Sequence, residues 1–228
     1  MNQFIRSEIL LGKDNMEKLK NSHVMVFGVG GVGSYVCEAL ARSGVGEITV
    51  VDSDTVSESN LNRQLIALHS TIGKKKVDVI SDRIYDINPE CTVHKKDIFY
   101  LPENAHEIDF DKVDFVVDAI DTVTAKIDII VKCKNLGIPV ISSMGTGNKL
   151  NPAMLKIDDL YKTSVCPLAR VMRRELKNRD IKSLMVLYSE EKPIEPESSD
   201  KRTPGSVAYV PSVAGLLIGG YVINELIK

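Results

Sequence analysis

No two of the four cysteines, Cys37, Cys91, Cys133 and Cys166, fall at CxxC spacing. That excludes a paired-thiolate zinc ribbon and offers no disulfide framework, so a reducing compartment, the cytoplasm, is the expected setting. His23, His69, His94 and His106 show no metal-binding spacing either. Charge of one sign is also missing. With 29 basic and 31 acidic residues the formal charge is −2, so contact with nucleic acid has to come from a local patch. Met1 to Lys20 is polar and amphipathic without the apolar core of a signal peptide, which predicts no export. Only Val207 to Ile227 is a long apolar stretch, with Gly215 and Gly219 at GxxxG spacing. Read with Pro211 as the helix start and Asn224 and Glu225 breaking its end, it falls short of the ~20 apolar residues of a span. A buried terminal helix, and no membrane partner, is the expectation.

What is present is a βα rhythm. Helix-period apolar residues (Phe4, Ile5, Ile9, Leu10, Met16, Leu19) predict a helical arm over residues 1–22. Val24 to Phe27 is a short apolar run ending in glycines. A helical stretch from Gly33 to Ser43 and the run Ile48 to Val51 follow, which together read as a parallel βαβ unit. The alternation continues through a helix near Lys75 to Asn88, strands at Thr92 to Lys96 and Phe115 to Asp118, a helix from Thr122 to Leu136 and a strand at Ile138 to Ile141. These units predict an α/β fold, a Rossmann-like, doubly wound, mainly parallel sheet with its ligand at the carboxyl ends of the strands. At 228 residues one domain is expected, with a nucleotide-binding core over 23–148 and a C-terminal extension over 149–228. In the extension we read a strand near Met154 to Ile157, a basic helix near Pro167 to Asn178, a strand near Ser183 to Ser189 and a mobile loop at about 190–206.

Gly28-Val29-Gly30-Gly31-Val32-Gly33 sits between a predicted strand and helix, where glycines permit a tight turn and close approach of backbone to phosphate. Asp52 ends the second strand, where a carboxylate can hydrogen-bond a ribose hydroxyl. This fingerprint serves NAD and ATP alike. Downstream, Asn60-Leu61-Asn62-Arg63-Gln64 and Gly73-Lys74-Lys75-Lys76 place cations where a triphosphate needs them to stabilise departing pyrophosphate. Solvated surface charge is a readier reading for Lys74 and Lys75 than for Arg63 and Lys76. Asp118 and Asp121 lie at the end of the fourth strand, where a carboxylate can hold Mg2+ against phosphates. A helix N-cap is the alternative for Asp121.

In order and spacing, these segments resemble the ThiF/MoeB/HesA superfamily, bacterial relatives of the ubiquitin-activating enzymes, from Arg6 to about Met144. The resemblance implies an ATP site that uses Gly28, Gly30, Gly31, Gly33 and Asn62, with Asp52 on the ribose, Arg63 and Lys76 on the phosphates and Asp121 on Mg2+. It also implies a homodimer in which Arg6 is supplied across the interface. The CxxC pairs of the branch that adenylates ubiquitin-like proteins are missing. Asp158 to Thr163, Pro167 to Arg170 and Pro204 to Ser206 look like the tRNA threonylcarbamoyladenosine dehydratase branch. That branch spends ATP on activating the carboxylate of the modified adenosine in tRNA and then closes a ring, and a sulfur-transfer accessory protein is a possible further partner. Adenylation of a small sulfur-carrier protein's C-terminus and a non-catalytic nucleotide-sensing module are the alternatives.

Ring closure needs no protein thiol, because tethering already brings the nucleophile to the activated carbonyl. Cys166, just before Pro167 at an expected helix start, stands where a helix dipole can activate a thiol, with a cap or buried thiol the favoured reading, and Cys37 and Cys133 read as core. Arg170, Arg173, Arg174, Lys177, Arg179 and Lys182 form one basic stretch over 167–182, equally readable as a tRNA contact or a solvated face.

Overall fold

The apolar run His23–Phe27 forms the central strand β1 of the computed structural model, which describes residues 3–195 and 204–228. All of β1 is buried, and its side chains alternate as the pleat requires. Val24 and Val26 enter one core, Met25 and Phe27 the other. Before it come α1 (Ile5–Leu11) and α2 (Lys13–Lys20). After it come α3 (Gly33–Arg42), β2 (Glu47–Val51), α4 (Lys76–Ile87), β3 (Thr92–Lys96), β4 (Phe115–Asp118), α5 (Val123–Leu136) and β5 (Val140–Ser143). The chain continues through β6 (Leu155–Asp159), α6 (Pro167–Lys177), β7 (Met185–Ser189) and α7 (Tyr209–Leu226).

The seven strands form one sheet in the order β3-β2-β1-β4-β5-β7-β6, parallel except for β6, which runs antiparallel to β7. The C-terminal extension therefore completes the same sheet. Residues of α2, α3, α4 and α7 fill the core on one face, and residues of α5 and α6 fill it on the other. Chain order reverses direction between β1 and β4. This is the switch point at which a doubly wound sheet leaves a crevice beyond its carboxyl ends.

Among the boundaries that differ from the sequence reading, two have a local cause. The strand expected to begin at Ile138 begins at Val140, because Gly137 and Ile138 close off α5. Gly137 takes the left-handed conformation (φ 72°) and the Ile138 N–H bonds Cys133 O at 2.9 Å, a helix-ending motif that glycine favours. The terminal helix starts at Tyr209, not Pro211. Proline is tolerated there because N–H groups of a helix's first turn have no intrahelical partner.

The terminal helix is buried on one side only. Ala214, Gly215, Ile218 and Val222 pack inward, whereas Tyr209, Leu216 and Leu217 are 41–48% exposed. By length and composition α7 could cross a membrane, but its inner face lies along α3. The glycines allow this approach. A Cβ at Gly215 would lie 2.4 Å from Val32 O and 2.6 Å from Tyr35 Cβ, and one at Gly219 would lie 2.5 Å from Ala39 Cβ. Gly215→Ala should gain about 1 kcal/mol of helix propensity but lose more to the clash, since overpacking costs about 1–3 kcal/mol and here strikes backbone. A lowered melting temperature is the expected result. A melting temperature at or above wild type would show that the two helices do not need this contact.

Candidate functional site

The β1–α3 turn builds the floor of a cavity of about 450 Å³ at the switch point. Gly28 has φ +85°, and a Cβ there would lie 2.8 Å from Ala119 O on the neighbouring β4 segment. At Gly33 a Cβ would lie 1.8 Å from Gly28 O, so the turn closes only because both positions lack side chains. Ser34 Oγ donates to Gly30 O at 2.6 Å and accepts the Leu65 N–H at 3.3 Å, tying the turn to the segment that carries Arg63. Gly28, Gly30, Gly31 and Val32 line the cavity, and α3 presents its N-terminus to it. That is a ready site for phosphate.

Asp52 sits at the end of β2 with both oxygens engaged. Oδ2 accepts the Val29 N–H at 2.7 Å, and Oδ1 accepts the Asp54 N–H at 2.8 Å. Burial pushes its carboxyl above the usual aspartate range, opposed by Lys76 and by those two N–H groups. Lys76, the first residue of α4, places Nζ 2.7 Å from Asp54 Oδ2 and 3.9 Å from Asp52 Oδ2. Its side chain is almost wholly buried, so these carboxylates hold the cation in place at the cavity wall. Lys74 and Lys75 are exposed, and Lys75 pairs with Asp97 at 3.1 Å.

Arg63 also lines the cavity. Its Nη1 donates to Ser59 O and to Asn62 Oδ1, both at 2.8 Å. Asn62 itself is exposed and outside the lining; its Nδ2 donates to Ser206 O at 3.0 Å. In this arrangement Asn62, expected from the sequence as a nucleotide contact, braces Arg63 through Oδ1 from outside the cavity lining. The turn through Glu58–Asn60 instead brings Asn60 and Gln64 to the lining. Gln64 is buried, and its Oε1 has no hydrogen-bond partner. An unpaired buried acceptor is costly unless a ligand donor meets it, so this wall fits a polar ligand such as a nucleotide.

Asp118 is also corrected. It is fully buried and paired with Lys126 Nζ at 2.9 Å, which removes it from any metal site facing the cavity. Asp121 is exposed at the cavity, lining it beside Thr122. The N-cap position of α5 belongs to Thr122, and no side chain caps it. Asp121 makes no side-chain hydrogen bond or ion pair among the described residues, and these contain no group of three or more His, Cys, Asp or Glu able to hold a metal. A single carboxylate suits Mg2+ that takes its other ligands from phosphates and water.

The remaining wall went unassigned in the sequence reading. Met144 to Gly147 after β5, Leu168 of α6, and Pro204 to Ser206 line the cavity too. The glycines at 145 and 147 immediately after an apolar strand were the available signal. Asn148 straps this wall together, accepting the Ile194 N–H through its main-chain O at 2.8 Å and the Gly205 N–H through Oδ1 at 2.7 Å. The loop expected at 190–206 is therefore tied down at both ends, while its middle, 196–203, lies outside the described residues.

Arg6 is exposed on α1 and is not part of the cavity of its own chain. Ile9 and Leu10 beside it are 76% and 86% exposed. All four cysteines are buried and free. Desolvation pushes the Cys133 thiol up to about 12 and the Cys91 thiol up to about 11, and Cys37 higher still, so these three are inert core thiols. In the basic stretch, Arg173 turns inward to Thr163, and Arg174 and Arg179 both bind Glu175.

A doubly wound sheet, a glycine turn against a helix N-terminus and a carboxylate at the end of β2 define a Rossmann-type nucleotide-binding protein, and cations at the phosphate end mark it for a nucleoside triphosphate. The ThiF family model matches residues 4–228, and the chain belongs to that family. It is 46% identical to the tRNA threonylcarbamoyladenosine dehydratase of Bacillus subtilis, an alignment that covers 100% of this chain and 96% of that protein. Against the Escherichia coli enzyme of the same name the identity is 40% over 74% of this chain and 63% of the relative. The solved E. coli enzyme, TcdA, in complex with ATP superposes with a TM-score of 0.91 at 32% identity, covering 98% of this chain and 93% of that one.

Proposed function

We infer that this chain is an ATP-dependent tRNA threonylcarbamoyladenosine dehydratase that activates the modification's carboxylate by adenylation. The observation that carries the reading is the match, over its whole length, to a relative of that name, joined to a cavity of nucleotide size at the switch point. The E. coli neighbour is solved with ATP and with AMP, the nucleotide consumed by carboxylate activation and the one released when the acyl-adenylate is attacked. One carboxylate oxygen leaves on AMP, and the modification's own attacking nucleophile gives up its proton, so the nucleoside, counted as the free acid, loses one water.

Within this reading Asp52 receives the ribose, the 28–33 turn cradles the phosphates, Arg63 and Lys76 neutralise departing pyrophosphate, and Asp121 holds Mg2+. Asp121's exposed, uncommitted carboxylate and Gln64's unpaired Oε1 support these roles. The chain works in the cytoplasm as a homodimer, with Arg6 reaching the partner's site. Exposed apolar side chains on α1 and α7 support that assembly. A sulfur-transfer accessory protein belongs to the same proposal.

Incubation with ATP, Mg2+ and tRNA bearing threonylcarbamoyladenosine, followed by mass spectrometry of the nucleosides, is expected to show loss of one water together with AMP release. An unchanged nucleoside would overturn the assignment. Cys166 is buried and does not line the cavity, so Cys166→Ser should keep near-wild-type turnover, the change falling on stability at roughly 1 kcal/mol. Abolished turnover with normal folding and ATP binding would point instead to a thioester intermediate.

A further inference from the structure

Lys126 lies on α5 with no exposed surface, and its ion-pair partner Asp118 has none either. A buried pair of this kind seldom stabilises a fold more than apolar side chains of the same volume would. The remaining bonds explain what the charge is for. Nζ lies 2.9 Å from Asp118 Oδ2, 3.0 Å from Ile120 O and 2.9 Å from Ser143 O, so its three donors meet three acceptors. Ser142 Oγ donates to Asp118 Oδ2 at 2.5 Å, and the Ile120 N–H donates to Oδ1 at 3.4 Å. Asp118 and Ser142 are register partners across β4 and β5. The lysine therefore ties together the ends of two neighbouring strands at the point where each leaves the sheet.

Both tied carbonyls directly precede cavity walls. Ile120 O belongs to the residue before Asp121, and Ser143 O to the residue before the Met144 to Gly147 wall. No other side chain bonds the main chain of both segments among the described residues. We propose that Lys126 is a positioning residue for adenylation, fixing the Asp121 turn against the Gly145–Gly147 wall through one buried ammonium. The inference rests on the dehydratase reading, which supplies the reacting carboxylate that meets the nucleotide between those walls. Binding of the nucleotide depends on other elements, the 28–33 turn and Asp52, which Lys126 does not touch. Loss of the tie should therefore affect the chemical step and spare ATP affinity, since a misplacement near 1 Å costs about 100-fold in rate.

The test is the paired variant Lys126→Met/Asp118→Asn, which leaves no buried charge unpaired, compared with wild type. Thermal melting, ATP affinity by titration and single-turnover AMP release with modified tRNA are read on the same samples. Expected are a cooperative melt, ATP affinity within about threefold of wild type and AMP release slowed about 100-fold. AMP release within threefold of wild type would make the network purely structural and overturn the proposal, as would a loss of ATP affinity as large as the loss of rate. If the pair does not fold, Lys126→Arg decides. It keeps the charge but not the three-way geometry, so slowed AMP release at unchanged ATP affinity supports positioning, whereas wild-type kinetics or misfolding of this variant too overturns it. Wild type measured alongside separates the two levels: absence of AMP release there defeats the dehydratase reading, while the ratio of variant to wild type judges Lys126.

Discussion

Arg63→Ala is expected to lower turnover by about 100- to 1000-fold at saturating ATP, the range for removing one preorganised donor from a transition state. The guanidinium is held by Ser59 O and Asn62 Oδ1, and so needs little reorganisation when charge moves onto pyrophosphate. Its effect should fall on the chemical step. Asp52→Ala should behave differently, chiefly weakening ATP affinity, because a ribose contact is the same in ground and transition states. Arg63→Lys should recover only part of the loss, since an ammonium cannot reproduce the planar fork of donors. Pyrophosphate release measured over a range of ATP concentrations separates the two behaviours. Near-normal turnover of Arg63→Ala at saturation would remove Arg63 from the proposed role.

Complementation between two dead variants carries an equally large signal. Arg6→Ala and Asp121→Ala should each be inactive alone and regain activity after subunit exchange. Random equal mixing makes about half of the dimers mixed, and each mixed dimer holds one site with native Asp121 and a native Arg6 from across the interface. About a quarter of all sites should recover under two-fold symmetry. Arg6 is exposed on a helix whose neighbouring Ile9 and Leu10 are also exposed, which is what an interface position requires in the separated chain. With exchange verified by mass spectrometry of differently tagged chains, activity that stays at the parental background would place Arg6 within its own chain's function or outside function altogether.

Much of the site was legible because its signals are local. A glycine turn between an apolar run and a helix declares itself within a few residues, and the Arg63 and Lys76 segments follow at short range. The misreadings lie where a distant partner decides. Asp118 and Asp121 look equivalent at the end of one strand, but only Asp118 meets the ammonium of Lys126, which faces it from the following helix. Within Asn60 to Gln64 the polar side chains alternate in availability, and the turn at Glu58–Asn60 sends Asn60 and Gln64 to the cavity and Asn62 away from it.

The amino-acid sequence by itself determined the βα order, the parallel sheet, the glycine turn after β1 and the positions of the cationic segments, because strand pleat, helix period and glycine's missing Cβ act between near neighbours. Only the tertiary structure decided that β6 turns antiparallel at the sheet edge, that α3 is the partner against which α7 sets its glycines, and that Asn148 binds both ends of the 190–206 loop. It also decided which carboxylate was withdrawn into a buried ion pair. These outcomes depend on groups far apart in the chain meeting in one place, where burial and the need to satisfy every polar atom select among side chains that local pattern leaves equivalent.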